Sequence, residues 1–408
     1  MLSGFPALRH RNFRLFVVGQ GTSLIGFWMQ SVAQGWLVYR LQERPLDVGK
    51  VAFAGYLPIL FLSPVAGVVA DRLPRRAMLL VTQTLLMLLA FCLGILVWRS
   101  AVTVPILIGF AGCVGLVSAL DVPTRQSFLV EMVGPEDLPN AIALNSSIFN
   151  GARVVGPAIA GMLIGFVGEA ACFFLNAASY LAVLFALARM DVVDPVRPHQ
   201  EQPILAGFRS GLGYVWNRPV LRNLLLLLGL VCGMGVQYQV LMPVFARTVF
   251  TAGPAGYGLL LTAAGVGSMA SSLQLAARRY SRAQHRQNLL FGLVIFATAV
   301  LGLSLSTRFE VALVCQLFAG FGMVRYLATT NTLLQLVVDD GYRGRVMGLH
   351  TVMFLGTQPA GSLVLGGLAQ SFGARRAALV SGTASLSAAV WLALRLRRVA
   401  MRERSAAS

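Results

Sequence analysis

Ten stretches of this chain carry no Asp, Glu, Lys or Arg over 18 or more residues: 15–39, 51–70, 77–98, 100–120, 170–188, 223–246, 248–277, 287–307, 346–374 and 377–394. A helix rises about 1.5 Å per residue, so roughly 20 such residues cross a hydrocarbon core of about 30 Å. Two further stretches, 138–168 and 311–338, have spanning length and are interrupted by one arginine each, Arg153 and Arg325. The expected fold is therefore an all-α membrane protein with twelve transmembrane helices. Only 12% of the residues are charged, against about 25% in soluble domains, so most of the surface lacks a polar coat.

The net charge of +18 raises the question of a nucleic-acid partner, and the distribution of the cations answers it. With an even number of spans both termini share a face, and 23 of the 33 basic residues fall on that face, against 8 on the other and 2 inside spans. The positive-inside rule then puts both ends in the cytoplasm. The basic balance reports topology and anionic headgroups, and no nucleic-acid partner is expected. The opening MLSGFPALRHRNFRLF has no signal-peptide core, so span one is expected to act as its own insertion signal. The five cysteines all fall inside spans without ligand spacing, and neither a metal site nor a cofactor is expected.

The chain repeats itself at an offset of 205 residues. Gly151, Gly156, Gly161 and Gly168 land on Gly356, Gly361, Gly366 and Gly373. The reading is two pseudo-symmetric six-helix bundles, 1–190 and 220–408, joined by a cytoplasmic linker, 191–219. The later part of the linker has apolar residues at helical spacing, and it reads equally as a helix lying flat on the interface or as a simple loop.

Between spans two and three stands GVVADRLPRR, with Gly67, Asp71, Arg72, Arg75 and Arg76. Gly-x-x-x-Asp-Arg-x-x-Arg-Arg after the second of twelve spans resembles the signature loop of the major facilitator superfamily, and the resemblance covers essentially the whole chain. Pro74 stands where the family usually has glycine, and the counterpart stretch QLAARRYSRAQHR at 274–286 keeps the bases without the acid. The resemblance implies a cytoplasmic latch in which Asp71 accepts from the end of span eleven and Arg75 pairs an acid on span four, Asp121 being the acid available. RNFRLFVVGQ, ALDVPTRQSFLVEMV, LPNAIALNSS and RVVGPAIAG look like the branch holding bacterial enterobactin exporters and macrolide efflux proteins. Gly151, Gly156, Pro157 and Gly161 also resemble the glycine–proline pattern of span five in proton antiporters; their expected role is helix packing and bending.

Charge inside a membrane is costly, so each such residue is a functional candidate. Asp121 is open to pairing with either Arg75 or Arg153. Arg325 has no acid in its span, and with Arg153 it is expected to attract an anionic small-molecule substrate. Trp28, Gln30 and Gln34 on span one, and Gln237 and Tyr238 on span seven, suit a bulky, partly polar ligand by stacking and hydrogen bonding. Acids are scarce in the spans, and Asp121 is the expected carrier of a coupling proton. No nucleophile–base pair, metalloprotease motif or phosphate-binding loop appears, which argues against an enzyme. The combined expectation is a proton-coupled exporter of a siderophore, drug or similar molecule, in a bacterial cytoplasmic membrane. It works by alternating access, as a monomer in contact with membrane lipid. Lysophospholipid flipping or uptake by the same fold is the alternative.

Overall fold

The computed structural model of the chain describes residues 6–191, 204–278 and 280–407, and describes side chains outside 63–72, 204–208, 282 and 396–407. Gly67, Asp71 and Arg72 thus contribute only backbone, at the end of the helix Pro45–Arg72. Residues 192–203 of the expected linker lie outside the described residues.

Helices account for the described chain almost throughout. Span one is Arg11–Gln42 and span two Pro45–Arg72. Span three is Arg75–Trp98, and Val104–Phe166 is a 63-residue run holding spans four and five. Span six is Glu169–Ala188. The 63-residue run breaks at Gly134, whose φ of 73° suits glycine. Pro135 follows it and lacks an N–H to continue the ladder. Spans seven to twelve are Pro219–Val249, Gly253–Ala276, Arg282–Leu305, Phe309–Val337, Asp340–Phe372 and Ala374–Ala407. Twelve membrane-length helices therefore stand among the described residues. Phe166, Leu305, Trp98 and Val18 are 69 to 88% exposed, as expected of side chains whose solvent is lipid.

The chain divides into two compact units. Unit 1 comprises 1–201 with 246–262, and unit 2 comprises 202–245 with 263–408. Inside unit 1, span one packs along span six and the 104–166 run, and span three packs on spans four and six. Inside unit 2, span eleven packs on the middle of span seven, and span nine lies against spans ten and twelve. This is the same plan at an offset of six helices.

Glycines carry the repeat into the packing. A Cβ at Gly156 would lie 2.5 Å from the Trp28 Cβ, on span one. At Gly361 it would strike the Gly233 carbonyl, on span seven. A Cβ at Gly115 would collide with the Gly55 carbonyl, and one at Gly320, 205 residues on, with the Ala264 carbonyl. Gly168 and Gly373 end their helices with φ of 92° and 84°. Bundles in lipid have no hydrophobic force drawing helices together, so close backbone approach at small residues supplies much of the cohesion.

One expectation fails here. A Cβ at Gly151 would meet nothing within 4 Å, so this glycine makes no close contact; packing falls to Gly156 and Gly161. Gly161 lies against the segment 253–258, with the Pro254 carbonyl 3.0 Å from its would-be Cβ. The Pro157 carbonyl lies so close to Gly258 that no side chain fits there.

The linker contains a helix, Ile204–Trp216, seated on the start of span eleven. Tyr214 stacks on Tyr342 at 4.1 Å between ring centroids, and Arg218 covers Tyr214 while donating to Asp339 at 2.8 Å. The simple-loop reading gives way to a docked helix, clamped by a stacked aromatic pair and an ion pair.

Candidate functional site

The basic loop after span two leads into a polar cluster at the start of span three. Arg75 Nη1 donates to Glu131 Oε1 at 3.0 Å and to the Ser127 carbonyl at 2.9 Å, with both charged side chains about nine-tenths buried. The acid on span four that pairs Arg75 is therefore Glu131. Asp121 is ten residues away, about 15 Å along a helix, too deep for an arginine at the helix end. Arg76 caps span six by donating to the Leu187 and Ala188 carbonyls, each at 2.8 Å. Exposed carbonyls at a helix C-terminus carry partial negative charge, which is why an arginine settles there.

Asp121 is 1% exposed. Its Oδ1 accepts from Thr82 Oγ1 at 2.8 Å and Gln83 Nε2 at 2.7 Å, both on span three. Its Oδ2 pairs with Arg125 at 2.5 Å, one turn along the same helix. Neither Arg75 nor Arg153 is its partner, so both expected pairings are replaced by an i,i+4 pair. The carboxylate is fully engaged by three donors, the condition under which a buried charge is tolerated.

Arg325 is 6% exposed and is held by amides from two other spans. Asn288 Oδ1 on span nine accepts from its Nε and Nη2 at 3.1 and 2.7 Å. Gln274 Oε1 on span eight accepts from its Nη1 at 2.5 Å. The rings of Phe291 and Phe321 flank the guanidinium at 5.3 and 5.5 Å. Arg325 is thus hydrogen-bonded within unit 2, where the sequence suggests a side chain facing an open cavity. No acid lies within ion-pair distance of it among the described residues.

Trp28 stands at the centre of an aromatic group in unit 1. Phe27 and Phe149 meet its ring edgewise, each at 5.7 Å, and the Arg153 guanidinium lies 5.5 Å from its centroid. The indole N–H of Trp28 is buried without a hydrogen-bond acceptor. Gln30 is engaged by Asn176 on span six at 2.6 Å, and Gln34 is half-buried one turn further along span one.

On span seven the expected ligand contacts are turned inward. The helix passes through a π turn at Val231–Gly235 and a 3-10 stretch at Val236–Leu241. These irregular turns rotate the face that an ideal helix would present. Gln237 bonds the Cys232 carbonyl at 3.3 Å, and Tyr238 is fully buried with its hydroxyl on Gln316 at 2.9 Å. Both serve the packing of unit 2, which corrects their expected place on a ligand-facing surface.

The residues that sequence reasoning passes over are Thr82, Gln83 and Arg125 around Asp121, and Asn288 and Gln274 around Arg325. A signal for some of them exists: the 205-residue offset carries Gln83 onto Asn288 and Asp121 onto Tyr326, next to Arg325.

Twelve helices in a repeated six-helix plan, with polar clusters buried inside each unit, define a multi-pass transporter of the major facilitator fold. The chain belongs to the transmembrane secretion effector family, whose model matches residues 2–408. It is 26% identical over 375 residues to the staphyloferrin A transporter of Staphylococcus aureus, covering 89% of this chain and 90% of the relative. It is also 26% identical over 371 residues to the multidrug efflux pump Tap of Mycolicibacterium fortuitum, covering 87% of each. Among solved structures it resembles the nucleoside transporter NupG, with a TM-score of 0.73 at 12% identity over 94% of this chain and 98% of that one. A bacterial homologue of the lysosomal transporter Spinster, inward-facing and occupied, gives a TM-score of 0.72 at 14% identity over 95% of this chain and 97% of that one. At such identities the structures establish the fold alone. The family and the relatives are transporters, not enzymes.

Proposed function

We propose that this chain exports a bulky, carboxylate- or phenolate-bearing small molecule from the cytoplasm of a bacterium in exchange for protons. The observation that carries this reading is the buried indole N–H of Trp28, which lacks an acceptor beside the Arg153 guanidinium. An unmatched buried donor costs about 1–3 kcal/mol, and an anionic acceptor on a ligand removes that cost. The surrounding Phe27 and Phe149 rings offer stacking surface to an aromatic or macrocyclic body. Two relatives of the chain are a siderophore transporter and a multidrug efflux pump, which supports this substrate class.

Coupling is assigned to Asp121. Protonation of its carboxylate removes the charge that holds Arg125 and weakens the contacts from Thr82 and Gln83, which loosens span three from span four. The Arg75 to Glu131 pair acts as the latch on the same spans. The moving bodies are residues 1–190 and 220–408, joined by 191–219. The protein works as a monomer in the cytoplasmic membrane with both termini inside, the orientation that the arginine distribution favours.

The experiment is export from proteoliposomes of a carboxylated fluorescent dye and of its neutral methyl ester. Trp28→Phe, which keeps the ring and removes the N–H, is expected to slow the carboxylate about tenfold, one charged hydrogen bond's worth, and to leave the ester near wild type. Equal loss for both molecules contradicts the assignment.

A further inference from the structure

Unit 2 contains a small cavity of about 160 Å³ where spans eight, nine and ten meet, beside the connection between the first two. Arg278, Tyr280 and His285 line it from the loop and the start of span nine, and Thr329 and Thr332 line it from span ten. Leu275 and Ala328 supply its apolar edge. Transport substrates of drug size occupy roughly 300–1,000 Å³, so this cavity suits a small group.

Two of its lining residues carry a buried polar atom without a partner. Thr329 is 2% exposed, and its Oγ1 has no hydrogen-bond partner. His285 Nδ1 is likewise buried and unpartnered, with the Tyr280 ring tilted beside the imidazole at 5.7 Å. Buried polar atoms are nearly always satisfied, so two orphans on side chains that line one cavity point to a place for a ligand. Arg278 forms no ion pair among the described residues. One helical turn deeper on the same face of span ten lies Arg325, whose partners Asn288 and Gln274 are neutral. They anchor its guanidinium and leave its charge uncompensated.

We propose that this cavity binds a phosphate group, its oxygens accepting from Arg278, His285 and Thr329, in the field of Arg325. A phosphate oxygen takes charge-assisted bonds from guanidinium and imidazole together with a hydroxyl, and a tetrahedral anion matches donors arriving from separate elements: Arg278 past the end of span eight, His285 on span nine and Thr329 on span ten. The cavity lies on the face of unit 2 that also carries the start of span seven and the Arg218 to Asp339 pair. Helices of spanning length put that face at the level expected of lipid headgroups. The phosphate belongs either to an anionic lipid held there or to a free phosphorylated solute. The proposal does not depend on what the protein transports.

The test is native mass spectrometry of the delipidated full chain, titrated with phosphatidylglycerol, with phosphatidylcholine or with inorganic phosphate. One ligand of the phosphate class is expected to remain per chain. Arg278→Gln with His285→Gln is expected to weaken it about tenfold or more, Thr329→Val to weaken it, and Thr329→Ser to retain it. Retention of phosphatidylglycerol in the presence of excess inorganic phosphate identifies a lipid site. Displacement by inorganic phosphate, itself bound with the same dependence on Arg278 and His285, identifies a solute site. Phosphatidylglycerol and inorganic phosphate binding that is unchanged in the Arg278/His285 and Thr329→Val variants overturns the proposal. Unfolding temperatures of the unliganded variants within a few degrees of wild type confirm that the readout is binding.

Discussion

Gln83 on span three and Asn288 on span nine stand at equivalent positions, 205 residues apart, and do opposite electrostatic work. Gln83 donates its amide N–H to the Asp121 carboxylate at 2.7 Å, whereas Asn288 accepts twice from the Arg325 guanidinium. A duplicated helical plan has thus kept an amide at one place in each unit while the charge beside it changed sign. An amide is suited to this, because it offers a donor or an acceptor by turning over.

The Asn288 contact gives a direct stability prediction. Asn288→Leu removes the one oxygen that accepts from both Nε and Nη2 and is expected to cost about 3 kcal/mol or more, at about 1.5–3 kcal/mol per bond to a charged group. Asn288→Asp keeps the geometry and adds a counter-charge, and a higher unfolding temperature than wild type in detergent is expected. A lower temperature for the aspartate variant contradicts the view that Arg325 lacks compensating charge.

Glycine contacts separate into those that hold helices together and those that do not. Gly156→Val drives a side chain into Trp28 and span one, and a loss of about 1–3 kcal/mol is expected, as for overpacked cores. Gly151→Ala meets open space, so a change within about 0.5 kcal/mol is expected, as at ordinary surface sites. Differential scanning fluorimetry of the two variants side by side checks the contrast.

The latch pairing is tested by exchange on span four. Glu131→Gln leaves Arg75 without its carboxylate in a site that is nine-tenths buried, a loss of about 3–5 kcal/mol for pairs broken in low dielectric. Transport is expected to fall at least tenfold, with partial recovery in Glu131→Asp. Should Glu131→Gln transport normally, the pair is an ornament of the fold and the latch lies elsewhere.

Much of this was legible in the sequence, for reasons that differ by element. Hydrocarbon excludes charge so strictly that the uncharged runs mark the spans, and the glycine register exposes the duplication because close contact at Gly156 and Gly361 and positive φ at Gly168 and Gly373 both favour glycine. Arg75's partner was not legible, since choosing between Asp121 and Glu131 needs the depth of span three relative to span four. The Arg125 to Asp121 pair is available from its i,i+4 spacing. Gln237 and Tyr238 turn inward because π and 3-10 turns in span seven rotate its faces, which a uniform helical period does not show. The amides around Arg325 come from two other spans, so only the tertiary structure joins them.

The central claim is that a proton on Asp121 drives the cycle, and the most direct measurement is dye transport by inside-out vesicles with an imposed pH gradient. Wild type is expected to accumulate the carboxylated dye when the lumen is acid and to stop when an uncoupler collapses the gradient. Asp121→Asn is expected to exchange dye down its own concentration gradient at any lumenal pH, without accumulation. Accumulation by wild type that survives the uncoupler, or full gradient-driven accumulation by Asp121→Asn, contradicts the account.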